Sequence, residues 1–383
     1  MSTTTPAKPR VVVADDSALM RRIVSNLLSR GGMDVVGAAK DGDEALALCE
    51  REQPDAMTLD LAMPGLGGID VLRELRHRGG QMLPVVVVSA FSPAHGARAV
   101  DALAEGAFEL VPKPNDHGEI QSFEANLLGK VTLATKTRRR SLAPWRRESL
   151  PSGDEKDAGP RDGTNNPLAA ARAILDANAT RRAARDGDPS TRPVRTGVSR
   201  ALIIATSTGG PRALASLLPE LPSPLGLGTL IVQHMPAGFT TSLAARLDRS
   251  SPLTVREAQG GELLTPGVAL VAPGGLHLRV GSDGHMVLSD EEPLGGLRPR
   301  ADLLIEDAAE RWGDRMTLVV LTGMGNDGLR GAREVRRRGG RILAEAESSC
   351  TVYGMPRAIV EAGLADEVLP LDRLAAVIRA EVN

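Results

Sequence analysis

Three polar residues in the C-terminal half have types suited to acyl transfer: Ser207 in ATSTGGP, His234 in IVQHMP and Asp327 in LTGMGNDG. A serine hydroxyl is a weak nucleophile until a base takes its proton, and the base works best when a carboxylate orients it. Taken singly, Ser207 reads as a helix cap at a glycine-rich turn. The nucleophile reading gains weight because His234 and Asp327 fall at equivalent places later in the chain. A second group lies nearer the N-terminus: Asp15, Asp16, Asp60, Ser89 and Lys113. Three clustered carboxylates repel one another without a cation, and an oxygen-rich site suits Mg2+. A lysine and a hydroxyl beside them suit a small phosphoryl group. Either of the first two aspartates could simply cap a helix, and Lys113 could be solvated. Five such residues at strand ends form a more specific pattern.

Both groups need elements that bring distant residues to one edge. ALIIATSTGGP reads as a buried strand, a tight turn and a helix opened by Pro211, a sound strand-to-helix junction. Ser207 then faces a helix N-terminus, where the N–H groups of Thr208–Gly210 favour an oxyanion. GTLIVQHMP is a strand ending at Gln233-His234, and MTLVVLTGMGNDG is a buried strand ending in a glycine-rich loop. Between them, VREAQGGELLTPGVALVAPGGLHLRVGSDGHMVLSDE reads as short strands and hairpins, with His277 and His285 as ordinary polar strand residues. In the first third, RVVVADD, MDVVGAAK, AMTLD, PVVVVSA and AFELVPKP are strands alternating with helices. Asp15 and Asp16 end the first, Asp60 the third, Ser89 the fourth and Lys113 the fifth. The expected class is therefore α/β: an N-terminal parallel five-stranded sheet, and a C-terminal doubly wound, mostly parallel sheet with an added hairpin region. Ligand crevices in such sheets lie outside the carboxyl ends of the strands, at the topological switch point.

Composition narrows the function classes. The 383 residues suffice for two domains and a linker, and the apolar content of 42% with only 2% aromatic means that Leu, Val, Ile and Ala fill the cores. A net charge of −2 argues against a dedicated nucleic-acid binder. MSTTTPAKPR has no apolar signal core and no run approaches a membrane span, so a cytoplasmic protein without direct membrane insertion is expected. Cys49 and Cys350 lie far apart and make no metal spacing. Residues 138–197 hold 13 Lys/Arg against 8 Asp/Glu, with Pro, Gly and Ser and few large apolar residues. They read as a flexible linker between domains at 10–137 and 198–383.

Two rival readings compete for the C-terminal domain. Gly323–Gly328 is G-x-G-x-x-G between a strand and a helix, with Glu345 and Glu347 about 20 residues on, as a dinucleotide site requires. That reading leaves Ser207 and His234 without a role. ATSTG is one residue from G-x-S-x-G, but the α/β-hydrolase order runs Ser, acid, His. Here His234 precedes Asp327.

Residues 10–130 resemble a response-regulator receiver domain, with a flavodoxin-like sheet. The resemblance implies that Asp60 accepts phosphate from a histidine kinase. It implies that Asp16, Asp60 and the Ala62 carbonyl hold Mg2+, with Asp15 helping through water. It implies that Ser89 and Lys113 sense the phosphoryl oxygens, and that Lys113–Pro114 is a cis peptide. Leu110 stands where receivers usually carry an aromatic switch residue, and Gly67 where they often carry Asp. ATSTGGP, QHMPAGFT and LTGMGNDG resemble the catalytic domain of chemotaxis protein-glutamate methylesterases, which share this domain order. Ala205 replaces the glycine that usually begins the serine motif. This second resemblance implies hydrolysis of γ-glutamyl methyl esters on chemoreceptors, release of methanol, and deamidation of particular glutamines. It implies Ser207 as nucleophile, His234 as base and Asp327 as its orienting residue. It implies that Thr208, Gly209 and Met324 supply the oxyanion N–H groups and that no cofactor serves ester hydrolysis.

Overall fold

The computed structural model describes residues 7–77, 83–90, 93–114, 120–142 and 199–382. Most of the expected linker, 143–197, lies outside the described residues. Its first five positions belong instead to the long helix that ends the first domain.

That domain runs β1 (Arg10–Ala14), α1 (Ala18–Arg30), β2 (Asp34–Ala39), α2 (Gly42–Glu52), β3 (Ala56–Leu59), α3 (Gly68–His77), β4 (Val85–Ser89), α4 (Pro93–Ala104), β5 (Glu109–Pro112) and α5 (Ile120–Leu142). The strands form one parallel sheet in the order β2-β1-β3-β4-β5. VVVA in β1 and VVVVS in β4 are buried throughout, as unbroken apolar runs must be when helices cover both faces. Ser17 starts α1 by accepting a hydrogen bond from the Met20 N–H. The strand order reverses between β1 and β3, so their carboxyl ends open the crevice.

The second domain repeats the logic at larger scale. Its elements are β6 (Ala201–Thr206), α6 (Gly210–Leu217), β7 (Gly228–Gln233), α7 (Phe239–Asp248), β8 (Thr254–Glu257), β9 (Val268–Val271), β10 (His277–Val280), β11 (Met286–Ser289), α8 (Ala301–Trp312), β12 (Met316–Val320), α9 (Leu329–Arg337), β13 (Arg341–Glu345), α10 (Met355–Glu361), β14 (Glu367–Leu369) and α11 (Leu371–Val382). Seven strands make one sheet in the order β14-β13-β12-β6-β7-β9-β8, every pairing parallel. The region expected as short strands and hairpins divides in two: β8 and β9 join the main sheet, and only β10–β11 form an antiparallel hairpin. β6 has β7 on one side and β12 on the other, so the loops after all three strands share one crevice. Ala205 is wholly buried in β6, in register with Val232 and Val320. Its methyl group therefore sits in the core and leaves the turn alone.

The two domains share packing. Helix α4 lies on α6 and α7, and a Cβ at Gly96 would stand 3.2 Å from Ser242 Oγ and 3.9 Å from the Phe239 ring. One apolar cluster runs from Leu103 and Leu110 of the first domain to Leu214, Phe239 and Leu243 of the second. Leu110 is buried in β5, and its carbonyl accepts a hydrogen bond from Lys130 Nζ at 2.6 Å.

Candidate active site

The chain leaves β6 at Thr206 and turns before α6. Gly209 takes φ 83°, a conformation suited to glycine. A Cβ there would also lie 2.5 Å from Thr351. Ser207 N–H donates to the Thr322 carbonyl at 3.0 Å, and Gln233 Nε2 donates to the Ser207 carbonyl at 2.9 Å. Thr322, just past β12, is the hub of this turn. Its carbonyl also accepts from Thr206 Oγ1 at 3.0 Å, its hydroxyl donates to the Thr208 carbonyl at 2.9 Å, and its N–H donates to Glu345 Oε2 at 2.7 Å. Gly323 follows and must be bare, since a Cβ would fall 2.8 Å from Ser207 Cβ. The expected oxyanion donors separate here. Gly210 N–H is taken by the Ser207 carbonyl at 2.8 Å. Among the described residues, the N–H groups of Thr208, Gly209 and Met324 make no hydrogen bond.

His234 follows β7, and its Nε2 lies 2.7 Å from Asp327 Oδ2. Both side chains are nearly enclosed, at 7% and 1% exposure. No hydrogen bond joins the Ser207 hydroxyl to His234 among the described residues, which leaves Nδ1 as the ring nitrogen not engaged by Asp327. The Asp327 carboxylate is heavily solvated by protein. Oδ2 also accepts from Ala301 N–H at 2.7 Å, while Oδ1 accepts from Asp302 N–H at 2.9 Å and Gly328 N–H at 2.9 Å and forms an ion pair with Arg300 Nε at 3.0 Å. Burial pushes this carboxyl up. The hydrogen bond and charge of His234, with the N–H groups of Ala301 and Asp302, outweigh that and hold it at about 2.

Two further residues of the site, Arg300 and Asp302, carry no motif that a sequence reading could use. Asp302 is buried, and its Oδ1 accepts from Gly328 N–H at 2.9 Å and Gly331 N–H at 3.0 Å. Those N–H groups open α9, where a dinucleotide pyrophosphate would have to sit. The two aspartates fill that place, and Glu345 is buried against Thr322. The glycine fingerprint is thus a carboxylate-binding turn. His277 also departs from expectation. It is fully buried rather than an ordinary polar strand residue, and its Nδ1 accepts from Arg300 N–H at 3.1 Å because the loop before α8 folds over β10. Burial lowers its pKa. His285 is half-buried, 3.0 Å from Asp283.

The other expected group also assembles. Ligand atoms of Asp15, Asp16 and Asp60 all lie within 4.8 Å of one another. Lys113 Nζ stands 2.8 Å from Asp15 Oδ2 and 3.0 Å from Asp60 Oδ2. Burial raises the Asp15 pKa, against the opposing pull of Lys113. Oxygen donors in this number and spacing fit a small divalent cation. Ser89 is buried at the end of β4, and its hydroxyl is 3.5 Å from the Ala90 carbonyl. The Lys113–Pro114 bond is not cis, contrary to expectation; among the described residues only Ser223–Pro224 and Arg298–Pro299 are. With the ordinary trans bond, favoured by about 0.5–1 kcal/mol before proline, Lys113 already reaches both carboxylates.

Comparison with known proteins agrees with this layout. A family model described as CheB methylesterase matches residues 202–378, and one described as response regulator receiver domain matches residues 11–123. A protein-glutamate methylesterase/protein-glutamine glutaminase of Symbiobacterium thermophilum is 39% identical over 377 residues, covering 98% of this chain and 97% of that protein. A protein of the same description from Myxococcus xanthus is 38% identical over 378 residues, covering 98% of each. The crystal structure of the Thermotoga maritima CheB methylesterase catalytic domain is 41% identical, covering 47% of this chain and 97% of that one, with a TM-score of 0.46. Fold and relatives define a receiver joined to a carboxylic-ester hydrolase. The chain belongs to the protein-glutamate methylesterase/protein-glutamine glutaminase family. Among the described residues, no helix is long and apolar enough to cross a membrane.

Proposed function

We propose that Ser207, His234 and Asp327 hydrolyse γ-glutamyl methyl esters on chemoreceptors, and deamidate particular glutamines there, from the cytoplasm. The 2.7 Å contact between His234 and Asp327, beside a serine on the adjoining strand end, carries this reading. Ser207 Oγ attacks the side-chain carbonyl as His234 takes its proton through Nδ1. The N–H groups of Thr208, Gly209 and Met324 receive the oxyanion, one such donor being worth about 3–4 kcal/mol. Methanol leaves with the proton held on His234. Water, deprotonated by the same ring, then attacks the acyl carbon; the acyl–Oγ bond breaks, His234 returns the proton to Ser207 Oγ, and the glutamate carboxylate leaves. Asp327 accepts a hydrogen bond from Nε2–H throughout, stays ionised and keeps the ring oriented.

The receiver at 10–137 governs this step through the linker at 138–197, which leads to the catalytic domain at 198–383. Asp60 accepts phosphate from a histidine kinase; Asp16, Asp60 and the Ala62 carbonyl would hold Mg2+, with Asp15 helping through water. When bound, Mg2+ would neutralise charge on the carboxylates and the incoming phosphoryl oxygens. Lys113 and Ser89 contact those oxygens and report their arrival to the sheet edge. Methanol release from methylated receptor membranes tests the chemistry. Ser207→Ala should abolish it with the fold unchanged, and wild-type turnover by that variant would sink the assignment.

A further inference from the structure

Arg300 sits between two buried carboxylates, and its position bears on the base. Its Nε is 3.0 Å from Asp327 Oδ1, its terminal nitrogens reach Asp302 Oδ2 at 2.9 Å and the Leu294 carbonyl at 3.0 Å, and its N–H is held by His277. The three side-chain contacts use three different nitrogens of the planar guanidinium, so it is held at more than one point. The two carboxylates are close neighbours, since both accept the same Gly328 N–H at 2.9 Å. Both side chains are at most 4% exposed, so water screens neither.

We propose that Arg300 is a positioning residue that supplies the cation for the Asp302–Asp327 pair and so leaves His234 neutral and able to act as base. This rests on the assignment of Ser207, His234 and Asp327 above. The charge balance gives the reason. With Arg300 present, two carboxylates face one guanidinium, and His234 contributes the second cation only when it takes the Ser207 proton. Without Arg300, two buried carboxylates face an imidazole alone. The ring then holds a proton to relieve them, and a protonated ring cannot accept one from serine. The surrounding charges do not replace Arg300. From α8, Glu306 points to an exposed pair with Arg330 of α9. From β10, His277 offers its Nδ1 lone pair to a backbone N–H, and Arg279 is paired with Asp307. Arg298 bonds the Asp290 and Glu291 carbonyls. The remaining donors to Asp327 are backbone N–H groups, which orient it and carry no net charge.

The test is the pH dependence of kcat/KM for methanol release, in the full chain, for wild type, Arg300→Gln and Arg300→Lys. Receptor and receiver are common to all three, so their own pH dependence cancels in the ratios. Arg300→Gln should fall about three- to tenfold further below wild type at pH near 6 than at pH near 8.5. Arg300→Lys keeps the charge and loses the fork, so its ratio to wild type should stay flat with pH even where its rate is lower. A merely structural loss would lower the rate equally at every pH, and a flat ratio for Arg300→Gln would overturn the proposal. So would a Lys variant whose ratio slopes as steeply as that of Gln. Circular dichroism and thermal melts check that both variants fold. If Arg300→Gln does not fold, Arg300→Met takes its place beside Arg300→Lys: a ratio that falls further at low pH for Met and stays flat for Lys upholds the proposal, and a flat Met ratio overturns it. Ser207→Ala keeps the two levels apart: activity retained there removes the assignment of the nucleophile, whereas a flat Arg300→Gln ratio with an inactive Ser207→Ala removes only the role of Arg300.

Discussion

The Glu109 carboxylate of the receiver accepts a hydrogen bond from the Thr208 hydroxyl at 2.6 Å, one residue beyond Ser207. Glu109 is itself held by Leu110 N–H at 3.0 Å and lies 3.5 Å from Lys130 Nζ. The receiver thus places an anion against the turn expected to receive an oxyanion. Asp101 of α4 also pairs with Arg246 of α7. Glu109→Ala should raise basal methanol release by about two- to tenfold, the range that a net hydrogen bond of about 0.5–1.5 kcal/mol allows. Adding Arg246→Ala should raise it further. Phosphorylation of the intact chain should give a rise of similar size. If neither substitution changes the basal rate, the receiver does not restrain the enzyme through this face.

The members of the proposed triad should not be equivalent. His234→Ala should be about as damaging as Ser207→Ala, because without the base the serine proton has no acceptor. Asp327→Asn should retain more activity, by about one to two orders of magnitude, since backbone donors still shape the turn. Single-turnover methanol release measures this order. An Asp327→Asn variant slower than His234→Ala would contradict it.

Acid titration should expose the same carboxylate. Asp327 is depressed from 3.8 to about 2 in the fold. A depressed acid contributes stability that is complete above its unfolded value and disappears as the pH falls through the folded one. The melting temperature of wild type should therefore exceed that of Asp327→Asn near pH 5, and the gap should close toward pH about 2. A gap that is constant across this range would mean that Asp327 titrates normally.

In the receiver, Lys113 lies between buried Asp15 and Asp60 in a position that a divalent cation would complement. Lys113→Ala should lower the melting temperature in metal-free buffer and recover most of the loss when Mg2+ is added, because the ion replaces the missing charge. The variant should still take phosphate from acetyl phosphate, whereas Asp60→Asn should take none. Label that persists in Asp60→Asn would move the acceptor elsewhere.

The residues proposed to do chemistry could be placed at sheet edges from the chain alone, because parallel strands announce themselves. Each is a short apolar run, and the polar residue that ends it must lie at the carboxyl edge. ALIIAT, TLIVQ and MTLVV therefore carried Ser207, His234 and Asp327 to one edge before any fold was known, and RVVVA and AMTL did the same for Asp15, Asp16 and Asp60. The all-parallel continuation through β8 and β9 was not legible, since four-residue strands read alike in a hairpin or a sheet. Tertiary structure alone decided what surrounds the reactive groups. Arg300 and Asp302 look like any charges at a helix start until the start of α8 meets the turn between β12 and α9. His277 looks like a polar strand residue until that loop buries it. Thr322 follows β12, Gln233 ends β7 and Glu109 begins β5 in the other domain. They meet Ser207 and its neighbours Thr206 and Thr208 through contacts of about 3 Å across as many as 116 positions of sequence. Periodicity reports which face of an element is buried. It carries no information about which partner that face will meet, because hydrogen-bond geometry exists only once the elements have packed.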